Sequence, residues 1–166
     1  MGWYKKAPPK RELVAINEVI GEIVLLLRGE ANEYAVSIRT DMAADLPRVM
    51  ADRVQPQEVL MNLTLNAIEA MKETGGVLTV KTGRDEGGQV LISVSDTGVG
   101  LPAEIADDIF NAFFTTKHQG SGMGLAISRS IIESHSGLLW AIANDGRGAT
   151  FHFTLPTGPV EVSATI

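Results

Sequence analysis

The 166-residue chain reads as an α/β (α+β) two-layer sandwich: a mixed, mostly antiparallel sheet of about five main strands, covered on one face by three helices and carrying a long lid. Three observations predict this. Strand patterns come in adjacent pairs, at 77–84 with 90–95 and at 138–143 with 150–155, so the sheet is not purely parallel. Three segments each carry a single apolar stripe at helical spacing. Between the turns Asp96–Gly100 and Gly120–Gly124 run about twenty residues with one short helix-like piece. That is far above the ~4–6 residues that usually join two elements, and glycine-rich turns stand at both ends.

Taken in order, residues 1–15 read as a linker, since Pro8-Pro9 cannot sit inside a helix. The first helix follows, with Asn17 as N-cap, Glu18 and Glu22 near its positive end, and Ile16, Val19, Ile20, Ile23, Val24 and Leu27 as its stripe. It ends between Gly29 and Glu33. Ala35 to Arg39 alternates as a strand, and Val49-Met50-Ala51 is a second, short one. The second helix starts at Asp52, which forms a capping box with Gln55, and tolerates Pro56 in its first turn. It runs to about Glu73 and stops at Gly75-Gly76. Asp85-Glu86-Gly87-Gly88 turns the next strand pair. Leu125 to Ser136 is the third helix, terminated by Gly137. Asn144 to Gly148 turns the last strand pair, Pro156 ends the fold, and 157–166 is a tail.

Composition narrows the function classes. The net charge is −6 and no basic stripe is present, which argues against nucleic-acid binding. Lys5, Lys6, Lys10 and Arg11 read as a solvated linker cluster. The longest apolar run, Ile23 to Leu27, falls far short of the ~18–20 residues of a membrane span. Met1 to Lys6 lacks the apolar middle of a secretory leader. With no cysteine, disulfides and thiolate metal sites are excluded, in keeping with a reducing cytoplasm.

Asp96 sits where a strand meets Thr97-Gly98-Val99-Gly100. A carboxylate there needs a donor, and the exocyclic amine of adenine is one. Guanine offers a carbonyl at that position and would be rejected. The glycines let the backbone pass close to a base; the plain alternative is an ordinary turn. Gly120-Ser121-Gly122-Met123-Gly124-Leu125 leads into the third helix, where free N–H groups and the helix dipole suit a phosphate chain. It is not a P-loop, because no Gly-Lys-Ser/Thr follows, and no βαβ unit makes it a dinucleotide fingerprint. Asn62, Asn66, Glu69 and Glu73 share one face of the second helix. Such a stripe is solvated or lines a site, and spacing alone favours solvated. Asn66 offers one neutral oxygen to Mg²⁺, which takes few protein ligands beside phosphate oxygens. Phe110, Phe113 and Phe114, followed by Thr115-Thr116-Lys117, lie in the lid; the aromatics must pack somewhere, and Lys117 is either a surface residue or a phosphate partner. His118, His135 and His152 are spaced wrongly for one metal site and read as structural or solvated.

Together these motifs resemble the sensor histidine kinases. Asn62 to Ala70 resembles their N box, Asp96 to Gly100 the first glycine box, Phe110 to Lys117 the phenylalanine box in the form of nitrogen-regulation and oxygen-sensing kinases, Gly120 to Leu125 the second glycine box, and Gly148 to Phe153 the closing segment. The resemblance implies a Bergerat-type ATP-binding fold over 16–156. It assigns adenine to Asp96, helped through water by Thr150, with Gly98 and Gly100 beside it. It assigns Mg²⁺ to Asn66, and the phosphates to the ATP lid: Phe114, Thr115, Thr116, Lys117, Gly120, Ser121, Gly122, Met123, Gly124 and Leu125. Asn62 and Lys117 are its catalytic candidates. ATPases of the wider superfamily, such as gyrase, place a water-activating glutamate where Asn62 stands. An asparagine is no base, which favours phosphoryl transfer to an imidazole that needs positioning more than deprotonation. No histidine here has the context of a phosphoacceptor. The resemblance therefore implies that the acceptor lies on a missing dimerisation domain, joined through 1–15, and that a response regulator receives the phosphoryl group. The fragment is then monomeric and the full-length protein a homodimer.

Overall fold

The computed structural model describes residues 11–100, 108–110 and 124–157. Helix α1 (Ile16–Glu33) buries the whole expected stripe and adds Ala31. Its N-cap is Ala15, whose carbonyl accepts from Glu18 N and Val19 N at 3.1 and 3.3 Å. Asn17 does not cap. Its amide donates to Ala43 O at 2.8 Å and accepts from the Thr82 hydroxyl at 3.1 Å. Thr82 is buried on the helix side of the sheet, so its hydroxyl needs that partner more than the helix end does.

Strand β1 (Glu12–Val14) lies within the stretch read as linker. It pairs antiparallel with β3 (Val49–Ala51) in a separate two-stranded sheet that buries Val14, Val49 and Ala51. The main sheet has five strands in the order β2 (Val36–Asp41), β4 (Gly76–Arg84), β5 (Val90–Ser95), β7 (Ala149–Leu155), β6 (Leu139–Ala143). Only β2 and β4 run parallel; the other pairs are antiparallel. The expected mixed sheet under three helices is therefore present, although β2 and β3 belong to different sheets.

The strand pleat separates two faces. Leu78 and Val80 on β4, Val90, Ile92 and Val94 on β5, and Phe151, Phe153 and Leu155 on β7 are buried beneath the helices. On the opposite face a cross-strand row runs Lys81, Ser93, His152, Trp140. There the His152 ring stacks on Trp140 at 5.3 Å, its Nδ1 lies 2.7 Å from Ser93 Oγ, and burial pushes its pKa down. His135 is buried behind, its Nδ1 2.8 Å from Ile131 O. Both histidines are structural; His118 lies outside the described residues.

Helix α2 (Val54–Ala70) stops three residues short of Glu73, and Gly75 follows its closing turn at φ 71°. Asp52 caps its start from outside, Oδ1 accepting from Val54 N at 3.2 Å. Helix α3 (Gly124–Ser134) leans on α2 and on β6 and β7. The long connection from β5 to α3 is anchored part-way. A single 3-10 turn, Asp108–Phe110, buries Ile109 and Phe110, with Phe110 edge-on to Phe151 at 6.0 Å and the Arg129 guanidinium 4.9 Å above its ring. Arg129 also pairs with Glu133 at 3.4 Å. Replacing Arg129 by Leu removes a cation–π contact of roughly 0.5–2 kcal/mol. Thermal unfolding is expected to show a Tm lower by a few degrees, about 2–4 °C per kcal/mol for a chain of this size; an unchanged Tm would show that the contact carries nothing.

Candidate functional site

Strand β5 ends where its pairing with β7 ends. Ser95 is opposite Thr150, and one further bond, Asp96 N to Ala149 O at 2.9 Å, carries the chain into the turn Asp96–Gly100. Asp96 is buried. Its Oδ1 accepts from Gly98 N at 2.9 Å and from Ala149 N at 3.4 Å. Among the described residues nothing donates to Oδ2. Burial raises the Asp96 pKa above its ordinary value, and the two N–H groups oppose that only in part. The site thus holds a carboxylate at some cost, with one oxygen committed to the fold and one not.

Three elements clamp this turn. Gly98 lies on the end of α2, where a Cβ would stand 2.3 Å from Ala70 O, and Val99 N donates to that carbonyl at 3.2 Å. The Thr97 hydroxyl accepts from Val77 N at 3.1 Å, beside Gly76. Gly148, at φ 93°, packs on Asp96 itself, and a Cβ there would be 1.9 Å from Asp96 O. Gly100 has φ 85°, a backbone that glycine adopts without strain.

The second cluster lies up α2. The Asn62 amide donates to Ser128 Oγ at 3.1 Å and to Gly124 O at 3.4 Å, fixing the first turns of α3 against α2. Asn62 is therefore not simply solvated. Ser128 is fully buried and takes part unannounced by any motif; its spacing of three and four from the buried Leu125 and Ile132 is the signal. Asn66 is half-buried and makes no side-chain hydrogen bond among the described residues. Glu69 pairs with Lys72 at 3.0 Å and Glu73 is exposed. From Asn62 to Ala70 is eight residues of one helix, roughly 12 Å of rise. The carboxylate turn and the start of α3 therefore flank a single helix face with Asn66 between them.

A family model described as histidine kinase-, DNA gyrase B-, and HSP90-like ATPase matches residues 51–159. The catalytic domain of histidine kinase ThkA is 34% identical and superposes with a TM-score of 0.80, over 90% of this chain and 99% of that one. The chain is a histidine kinase catalytic domain of this ATPase family. ThkA has also been solved in complex with response regulator protein TrrA. The sensor protein FixL of Bradyrhizobium diazoefficiens is 41% identical over 148 residues, 89% of this chain but 29% of FixL. Full-length ShkA in complex with AMPPNP gives a TM-score of 0.83 at 27% identity, over 93% of this chain and 32% of that one. The chain spans less than a third of the length of the curated relatives it matches.

In this kinase domain Asp96, Gly98, Asn62, Asn66 and the start of α3 at Gly124 and Leu125 come together around α2, and Gly100 lies against Gly148. Leu125 turns its side chain into the core, leaving its backbone at the helix start. Thr150 is the exception. Its register partner is Ser95, the neighbour of Asp96, so the pleat directs it to the helix-free face. There its hydroxyl lies 2.6 Å from Asn144 Oδ1 and 2.9 Å from Ser95 Oγ, engaged away from the carboxylate. Phe114, Thr115, Thr116, Lys117, Gly120, Ser121, Gly122 and Met123 lie outside the described residues.

Proposed function

We propose that this domain binds Mg-ATP along α2 and donates the γ-phosphoryl group to a histidine on a separate dimerisation domain, from which a response regulator takes it. The observation that carries the reading is the buried Asp96 carboxylate with Oδ1 committed and Oδ2 without a donor among the described residues. As an acceptor, Oδ2 suits the adenine amine, which donates, and not the guanine carbonyl, which does not. The phosphates then reach the first N–H groups of α3, which have no intrahelical partner, with Lys117 and the second glycine box assigned there by resemblance. Asn66 suits Mg²⁺: its amide is unengaged among the described residues and half-exposed between base and phosphate positions, and phosphate oxygens and water supply the remaining ligands. The metal, when bound, neutralises charge on the phosphates. Asn62, already tied to Gly124 and Ser128, holds the phosphate-binding helix start in place and activates no water. The whole protein is a homodimer whose catalytic domain lies in the cytoplasm, and this domain alone is a monomer.

The test is a titration with ATP and GTP, with and without Mg²⁺, followed by γ-labelled ATP with and without a separately supplied dimerisation domain. ATP is expected to bind better than GTP, more tightly with Mg²⁺, and label is expected only on the added domain. Equal binding of the two nucleotides, or stoichiometric phosphohistidine on this chain, would overturn the reading.

A further inference from the structure

The hairpin turn between β6 and β7 holds a side chain that no phosphate, metal or base assignment uses. Asn144 is half-buried. Its Nδ2 donates to the backbone carbonyl of Asp96 at 2.9 Å and lies 3.3 Å from both Ser95 Oγ and Arg147 O. Its Oδ1 is 2.6 Å from the Thr150 hydroxyl, which is in turn 2.9 Å from Ser95 Oγ. An amide oxygen can only accept, so the single Thr150 hydroxyl proton goes to Asn144. The Ser95 hydroxyl then donates to Thr150 and accepts from Asn144. The three side chains close a ring in which each donates to the next, and the second Asn144 N–H is left for Asp96 O.

We infer that Asn144 is a positioning residue for nucleotide base selection, acting through Asp96. Asp96 is held at its backbone N by Ala149 O and at its backbone O by Asn144, so both ends of the residue that aims the carboxylate are fixed from the same hairpin. Gly148 makes room for this, since a Cβ there would occupy the space against Asp96 O. The Asn144 backbone N–H also donates to Gly148 O at 3.0 Å, so one residue both closes the turn and ties it to the carboxylate strand. With Asp96 O unbound, the carboxylate direction relaxes, and the discrimination between an amine and a carbonyl on the base relaxes with it. The inference rests on the proposal that Asp96 reads the base.

Asn144→Asp is the decisive variant: nearly the same shape, an acceptor retained for Thr150, and no donor for Asp96 O. We expect ATP to bind about tenfold more weakly, as for loss of one buried hydrogen bond, and the ATP-to-GTP affinity ratio to fall. The KM for ATP should rise, while kcat for phosphoryl transfer to a supplied acceptor domain stays within about twofold at saturation, since the change removes binding that is equal in ground and transition states. In an Asp96→Asn background, Asn144→Asp is expected to change the ratio no further. Thr150→Val breaks the ring without touching Asp96 and should lower the ratio less; it decides the matter if Asn144→Asp does not fold. A purely structural role would lower Tm and leave the ratio, measured well below Tm, where it was. An unchanged ratio in these variants, with wild type preferring ATP, overturns the role of Asn144 alone. A wild type that prefers neither nucleotide overturns the base reading and this inference together.

Discussion

Asp96→Asn is expected to bind ATP about 10- to 100-fold more weakly than wild type, corresponding to a charged hydrogen bond of ~1.5–3 kcal/mol, while folding at least as stably. The affinity loss follows from where the amide must sit. Gly98 N and Ala149 N both donate to Oδ1, so the asparagine oxygen takes that place and its NH₂ takes the place of Oδ2. A donor then faces the adenine donor. Stability moves the other way. The native pKa of Asp96 is raised by burial, so the folded chain holds the proton more strongly than the unfolded one. The contribution of this group to stability is therefore best below the ordinary carboxyl value of 3.8, falls as pH rises towards the raised native value, and stays low at neutral pH. The neutral amide removes that cost. A donor on Oδ2 favours the ionised form, so wild-type affinity should rise with pH through the same window. The difference between wild type and variant, in which the titration of the nucleotide itself cancels, should rise with it. Isothermal titration at several pH values, with thermal unfolding of the free proteins, measures both. Unchanged affinity in the variant would show that Asp96 does not read the base.

Such a cost at a candidate site position marks the boundary of what sequence patterns reveal. The apolar stripe of α1 and the limits of β5 are legible because each depends on local period alone: 3.6 residues for one, two for the other. The asparagine and carboxylate positions are legible as motifs. What is illegible depends on partners distant in sequence. Glu12–Val14 is three residues with no pattern of its own and becomes a strand only because Val49–Ala51 lies beside it. Asn17 gives up the helix cap for Thr82, 65 positions away. Asn62 reads as one of a solvated stripe until Ser128, 66 positions on, fills its other side. Alternation tells that Thr150 and Phe151 face opposite ways but not which of them faces the helices. The register with β5 settles that, sending Phe151 inward with Val94 and Thr150 outward with Ser95. Asn144 reads as turn chemistry, and is turn chemistry; its reach to Asp96 needs β5 and β6 on either side of β7.

Gly148→Ala is expected to destabilise the domain by roughly 3–5 kcal/mol and to abolish measurable ATP binding, whereas Gly146→Ala in the same turn should cost only about 1–3 kcal/mol and leave binding intact. Both glycines have positive φ, 93° and 89°, so a side chain at either meets the same backbone strain. Their surroundings differ. A Cβ at Gly146 has nothing within 4 Å, while one at Gly148 would lie 1.9 Å from Asp96 O, 2.6 Å from Asp96 C and 2.9 Å from Thr97 Cα. All three are backbone atoms, so no rotamer change relieves the contact. The hairpin must lift off the carboxylate strand, taking with it the Ala149 and Asn144 bonds that hold Asp96. Subtracting the Gly146 variant from the Gly148 variant in urea unfolding isolates the contact from the strain. Equal costs would mean that the hairpin does not bear on the carboxylate. A Gly148 variant that is less stable yet binds ATP normally would mean that Asp96 keeps its aim without the hairpin, and that the clamp on α2 through Gly98 and Ala70 is sufficient by itself.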